Sequence, residues 1–593
     1  MAGLALGPLV PGPGAAAEDT VMKAMRDEMR RSMSEMRLEK LEKPYFIGYR
    51  VEESTTTTSS ASFGSLLSSN RHRSRTIHVE VRVGSHELDN TNFLTFPSFS
   101  SIGRVFGGRA SLPLEDDYQE LRRQIWLTTD AAYKSALETL SQKRAALQNK
   151  TRAEETPDFS HEEPVTLDAD AASVEVETGP AEEMVRSLSA LFREMPDIFT
   201  SEVRFHARTE RTRFVNSEGS SFTRVQRSVG VTAEASTQAE DGLPLHDFVA
   251  AYASRTEDLP GRKQMEAAIR EMGARLSRLR TAPLLERYNG PVLFEGQAAA
   301  ELFAQAFAPG LLAARKPVVG DPRMARFMAQ AGGQSLEDKI GARVLPRFLR
   351  VIDDPTLASF DGTALLGGYP VDDQGVLPAA TKLVERGILK TLLADRTPIF
   401  GVETSTGNRR SGGVTPSNVV VEADGGMSSE EIKQELLLLV EDREAEFGVL
   451  VRRIGNPAFK GQSDQMMRMV MMMSRGGEGA RVEGPVEAYK VYPDGREELI
   501  RNVEFSGISA ASFKDIVAAS AEPTIYTAPF SSGGPSGPRR IFSFGMNRGS
   551  REPLVSWVVP SLLFEDLTLK KPSAEVPNLP VAGHPYFEAR VDP

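Results

Sequence analysis

The sequence predicts an α+β protein in which an N-terminal α/β domain is followed by a sheet-rich C-terminal domain. Three observations carry this expectation. The chain has 593 residues, more than a single hydrophobic core normally serves. In its first half, helical periodicities alternate with segments of period two. Beyond Tyr288 two or three helical stretches give way to short strand patterns separated by glycine turns. The divisions expected are a leader at 1–20, an N-terminal domain at 21–285 and a C-terminal domain at 286–593.

Met1 to Val10 is mostly small and apolar, Pro11-Gly12-Pro13-Gly14 breaks any helix, and Ala15-Ala16-Ala17 precedes Glu18-Asp19. This resembles the end of a secretory signal with its cleavage site, although the basic n-region is missing. A periplasmic or exported location is therefore expected ahead of a cytoplasmic one. Met22, Met25, Met29, Met33 and Met36 then share one side of a helix expected from Val21 to Lys43, with Pro44 ending it. Ile77, Val79, Val81 and Val83 alternate with polar residues as one strand, entered through the basic run Arg71-His72-Arg73-Ser74-Arg75. Asp116 to Gln148 reads as a long helix, and a linker from Thr151 to Pro164 leads to another carrying Met184 and Leu188. Strands at Val203–Ala207 and Val229–Ala235 flank the turn Asn216-Ser217-Glu218-Gly219, and a helix from Arg262 to Leu279 closes the region.

Composition excludes several chemistries. A net charge of -11 repels phosphate backbones, so direct nucleic-acid binding is not expected. The chain has 0 cysteines, which removes disulfides, thiolate zinc ligands and thiol nucleophiles. No apolar run reaches about 20 residues, so no transmembrane anchor is expected. Gly412-Gly413, Gly425-Gly426 and Gly476-Gly477 suit turns, and none belongs to a phosphate-binding fingerprint.

The 7 histidines form no H-E-x-x-H or H-E-x-x-x-H pair. His161-Glu162-Glu163 lies in an acidic, proline-flanked stretch and reads as a solvated loop. His78 and His86 would converge only across a turn, and surface histidines are the plainer reading. No G-x-S-x-G elbow is present. Asp353-Asp354 and Asp372-Asp373 are paired carboxylates, which in turns accept backbone hydrogen bonds rather than perform acid–base work. Met467, Met469, Met471 and Met473 would share a strand face, as a pliable apolar wall ahead of a Cu(I) site. Trp557 to Glu565 reads as a packing segment or edge strand, and His584-Pro585-Tyr586 as an anchor that pins an extended tail to another subunit.

The most informative segment runs from Pro291 to Gly310. Leu302, Phe303, Ala306 and Phe307 share one helical face, while Gln297, Glu301 and Gln305 share another. Around it the chain resembles the TldD/PmbA family, also described as modulators of DNA gyrase. The resemblance runs through Gly290-Pro291-Val292-Leu293, Ser335 to Gly341, Gly368 to Val376 and Thr381 to Lys390. It continues through Gly407-Asn408-Arg409-Arg410 and the strand pair Val486–Val491 and Arg496–Arg501.

In the zinc-bearing branch of that family, H-E-x-x-x-H on this helix and a later cysteine hold the metal. The family register places Ala304, Gln305 and Pro309 at the two histidines and the glutamate: Ala304 and Pro309 for the histidines, Gln305 for the acid. Hydrocarbon and amide groups offer no zinc donor or proton acceptor there. The resemblance is thus to the metal-free PmbA/TldE-like branch and implies no cofactor and no catalytic residue. It also implies a dimer enclosing a chamber, formed with a zinc-bearing TldD-like homologue or with a second copy, and an unfolded peptide as the substrate of the complex. Glu301 and the turn of Gly367, Gly368, Asp372, Asp373 and Gly375 are the candidate peptide-groove residues. A purely structural hairpin is the competing reading of that turn.

Overall fold

The computed structural model describes residues 19–38, 41–94, 108–148, 156–169, 176–320, 335–459, 482–501, 503–530, 552–572 and 584–587. The proposed leader through residue 18, the methionine-rich strand at 465–473 and Gly476-Gly477 lie outside them.

Two sheets organise the chain, and the fold is α+β. The first has seven strands. Its centre is the hairpin Pro44–Ser62 and Ser65–Val83, beside the second hairpin Thr200–Asn216 and Ser221–Gln238. Pairing is antiparallel except for Thr166–Ala169, which runs parallel to Ser221–Gln238. Ser65–Val83, Thr200–Asn216 and Ser221–Gln238 extend well past the expected strands, and Pro44–Ser62 was not expected. The run Arg71 to Arg75 is inside a strand rather than before it. There Arg75 is buried against Glu53, 2.9 Å away. The extra length was hidden because its residues are polar: Ser54, Ser59 and Ser60 meet Ser74, Ser69 and Ser68 across the hairpin at 3.1–3.3 Å.

Helices Thr20–Glu35 and Tyr118–Gln148 pack with Ile47, Tyr49, Val79 and Val81. Met22, Met25 and Met29 join that core, as ordinary packing requires. The first helix ends at Glu35, short of the expected Lys43. Helices Thr178–Ser189 and Arg262–Thr281 pack with Val203, Phe205 and Val231.

The second sheet has eleven strands. Leu554–Lys570 is not an edge: it pairs with Asn418–Ala423, Arg287–Phe294, Ile516–Pro529 and Glu504–Ser506. Its unbroken apolar run is what a strand covered on both faces requires. Val292 and Phe294 face the helical segment after residue 296, while Leu293, Leu450 and Leu563 face helix Ser429–Asp442. That helix starts with a capping box between Ser428 and Glu431. His584 and Tyr586 rest against Phe63 of the same chain, with ring centres 5.6 and 5.5 Å away. The tail anchor read from the sequence therefore has an intrachain seat. No helix among the described residues is long and apolar enough to cross a membrane.

Candidate functional site

Strand Arg287–Phe294 delivers the chain to Gly296, whose φ of +56° suits a residue without Cβ. An α-helix follows over only six residues, Gln297–Leu302, and then widens into a π-turn at Phe303–Phe307. The Ala308 N–H donates to the Phe303 carbonyl, five residues back. Pro309, which has no N–H and crowds the carbonyl four residues before it, bars an α-helical continuation. Leu302, Phe303, Ala306 and Phe307 are buried in the main core.

The opposite face, expected to serve solubility or local bonding, is committed to bonding. Gln297 donates to the Ile454 carbonyl and accepts from its N–H, both at 2.9 Å. Glu301 is 1% exposed. Its Oε1 accepts from Asn456 Nδ2 and Tyr526 Oη, each at 2.6 Å, and its Oε2 accepts from Gln305 Nε2 at 2.7 Å. Burial pushes the Glu301 carboxyl up to about 7; the three donors pull it down, and Glu483 adds repulsion. Glu301 lines a small, open cavity of about 30 Å³ with Ala304, Gln305, Asn456, Phe530, Glu552 and Trp557.

Ala304 presents a methyl group to this cavity. Gln305 has its amide engaged, donating to Glu301 and to the Gly455 carbonyl at 2.8 Å and accepting from the Glu483 N–H at 2.8 Å. No histidine lines the cavity. Among the described residues the lining offers a proton-holding carboxyl beside an apolar wall, and no imidazole or thiolate with which to grip a borderline cation.

The turn of Gly367 to Gly375 lies elsewhere. A Cβ on Gly367 would stand 2.1 Å from the Ser417 carbonyl, so only glycine fits. Asp372 accepts from the N–H groups of Gln374, Val376 and Arg409 at 2.8–3.2 Å, and burial pushes its carboxyl up to about 7. Asp373 pairs with Arg50 at 2.8 Å and with Arg224, both from the first sheet. Asp353 accepts from Asn408 and Ser417 in the interior, and Asp354 accepts from the Thr356 N–H. Asp372 and Asp373 are buried and share no hydrogen-bonding partner with Glu301, so the turn fastens the two sheet regions together.

A third grouping was not anticipated. His78 lies against Glu52 at 3.3 Å instead of meeting His86. His86 meets His161, with stacked rings 3.7 Å apart, and Glu218 lies alongside. The loop read as solvated is tethered: Ser160 N–H donates to the Arg396 carbonyl at 3.0 Å, and Glu162 accepts from Ser405 N–H at 2.9 Å. No sequence spacing signals this convergence.

Comparisons with known proteins fit this geometry. Residues 287–454 match the family described as the PmbA/TldA metallopeptidase C-terminal domain. A metalloprotease of Methanothermobacter thermautotrophicus is 42% identical over 82 residues, 14% of this chain and 16% of that protein. One from Methanocaldococcus jannaschii is 33% identical over 137 residues, 20% of this chain and 29% of that protein. The aligned stretches thus span under a third of these relatives. A structure described as a modulator of DNA gyrase from Thermotoga maritima superposes with a TM-score of 0.53 at 15% identity, covering 88% of this chain and 96% of that one. TldE from Thermococcus kodakarensis gives 0.52 at 14% identity, covering 92% and 99%. At such identities these two establish a shared fold. Ala304, Gln305 and Pro309 carry no imidazole or thiolate, so their side chains do not fit zinc.

Proposed function

We propose a noncatalytic role for this chain, which belongs to the TldD/PmbA family: it serves as a subunit of a peptide-processing complex, contributing a peptide-binding wall and part of a chamber. The observation that carries the reading is the cavity beside the π-turn. It keeps the position of a site while its lining lacks imidazole and thiolate donors. Pro457, Ala458 and Pro529, the part-exposed members of its lining, supply apolar surface for peptide side chains, and Glu552 supplies a polar contact. Peptide contact is assigned to this cavity in preference to the buried turn of Gly367 to Gly375. The partner is a zinc-bearing TldD-like homologue or a second copy of this chain.

Native mass spectrometry of the purified complex, with peptidase activity measured on the same sample, tests the role. Co-purification with a zinc-bearing homologue, and loss of activity when this chain is omitted, are the expected results. Zinc-linked peptidase activity from material containing only this chain would overturn it. The carboxyl held near neutrality favours a second reading, a zinc-independent peptidase using Glu301 as acid or base. On that reading, metal-stripped protein cleaves an unfolded peptide and Glu301→Gln abolishes cleavage; on the primary reading, neither protein cleaves it.

A further inference from the structure

His86, His161 and Glu218 come from three chain segments and meet at the junction between the two sheet regions. Their ligand atoms all lie within 4.8 Å of one another. His86 Nε2 is buried and lacks a hydrogen-bond partner; Glu218 Oε1 stands 3.6 Å away, too far to bond. A buried ring nitrogen aimed at a carboxylate without bonding it needs an explanation. We propose that His86, His161 and Glu218 form a binding site for one divalent cation of the zinc class, which staples three loops of the N-terminal region to one another where they face the C-terminal region.

The donor set suits such an ion: two imidazoles and one carboxylate leave a fourth position for water. The segments are held independently of the cation. The His86 carbonyl accepts from the N–H groups of Asp158 and Phe159 at 2.7 and 3.1 Å, which binds the His161 loop to the His86 loop. Glu218 sits in a turn where its N–H donates to Asn216 Oδ1 at 3.1 Å. His161 is exposed, so its ring can swing from the stack toward the shared centre.

Arg396 is the opposing feature. Its Nη1 and Nη2 donate to Glu218 Oε2 and Oε1 at 2.5 and 3.0 Å, and Nη2 also donates to the Ser160 carbonyl at 2.6 Å. Each carboxylate oxygen has two acceptor positions, so Glu218 can retain the guanidinium and still ligate. The neighbouring positive charge lowers affinity without removing a donor.

The test uses the full chain, stripped with chelator and titrated with cobalt(II) by visible absorption and with zinc by calorimetry. Wild type is expected to take up one equivalent of each. His161→Ala, at an exposed position where folding is preserved, weakens binding at least tenfold, whereas His246→Ala, at a histidine outside the cluster, leaves it unchanged. Failure of wild type to take up an equivalent, or equal uptake by His161→Ala, overturns the site. This readout does not involve peptidase activity, so its outcome is separate from that of the noncatalytic role.

Discussion

The cavity beside Glu301 and the junction around His86 are opposites in their chemistry. The cavity lies where the family resemblance places metal ligands, yet a methyl group, a fully bonded amide and a proline occupy the register. The junction lies where no motif points, yet two imidazoles and a carboxylate gather there beside a buried guanidinium. In the cavity the polar atoms bond one another: Glu301 is saturated by Asn456, Tyr526 and Gln305. At the junction His86 Nε2 has no bond. The difference teaches that position in a family helix and capacity to hold a ligand are separable.

The largest expected effect comes from the cavity. Glu301→Ala strands three buried donors and should destabilise the chain by about 3 kcal/mol, read from denaturant unfolding. Stability should also depend on pH through this group. Its carboxyl titrates near 7 in the fold against a usual 4.5, so between those values the folded chain keeps a proton that the unfolded chain has lost. Stability therefore falls as pH rises from 4.5 to 7, by about 3 kcal/mol for this group alone. Glu301→Gln should make the thermal midpoint less sensitive to pH over that range. Part of the slope should remain, because Asp353 and Asp372 are raised to about 6 and about 7 in the same sense. An unchanged slope in Glu301→Gln would show that Glu301 does not titrate there.

At the junction, Arg396→Met removes a guanidinium that is almost wholly buried from a carboxylate that is partly exposed. The expected loss is smaller, about 2 kcal/mol, because water can solvate the freed Glu218. The same variant should bind zinc more tightly than wild type, since a repelling charge has gone and a carboxylate is released. Weaker zinc binding would show that Arg396 organises the cluster rather than opposing a cation. The smallest effect is expected from restoring donors to the cavity. Ala304→His with Pro309→His should add no zinc equivalent by calorimetry, because Ala304 lines the cavity and Pro309 is not among its lining residues, so the two imidazoles would not share it. A new equivalent there would erase the contrast between the two regions.

The legible parts of the fold were those in which burial writes a period into the chain. Helices Tyr118–Gln148 and Arg262–Thr281 followed from apolar spacing, whereas the strand pair Pro485–Val491 and Glu497–Ile500 came from the family resemblance. The hairpin extension through Thr55 to Ser60 was not legible, since serine and threonine on both faces leave no alternation to read. Trp557 was misplaced at an edge because a short apolar run does not say how many strands flank it. Within the candidate site, Glu301 and Gln305 were identified from helical spacing, but their shared hydrogen bonds with Asn456, Tyr526 and Glu483 were not.

By itself, the sequence determined what each position is able to donate. Zero cysteines anywhere, and a methyl, an amide and a pyrrolidine ring at Ala304, Gln305 and Pro309, fix which donors are lacking because lone pairs belong to side chains wherever they are placed. Only the tertiary structure decided which donors meet. His86, His161 and Glu218 are brought together by backbone bonds between distant loops, and by a turn between two long strands. The closure of such loops depends on the whole packed chain, so no local spacing records it.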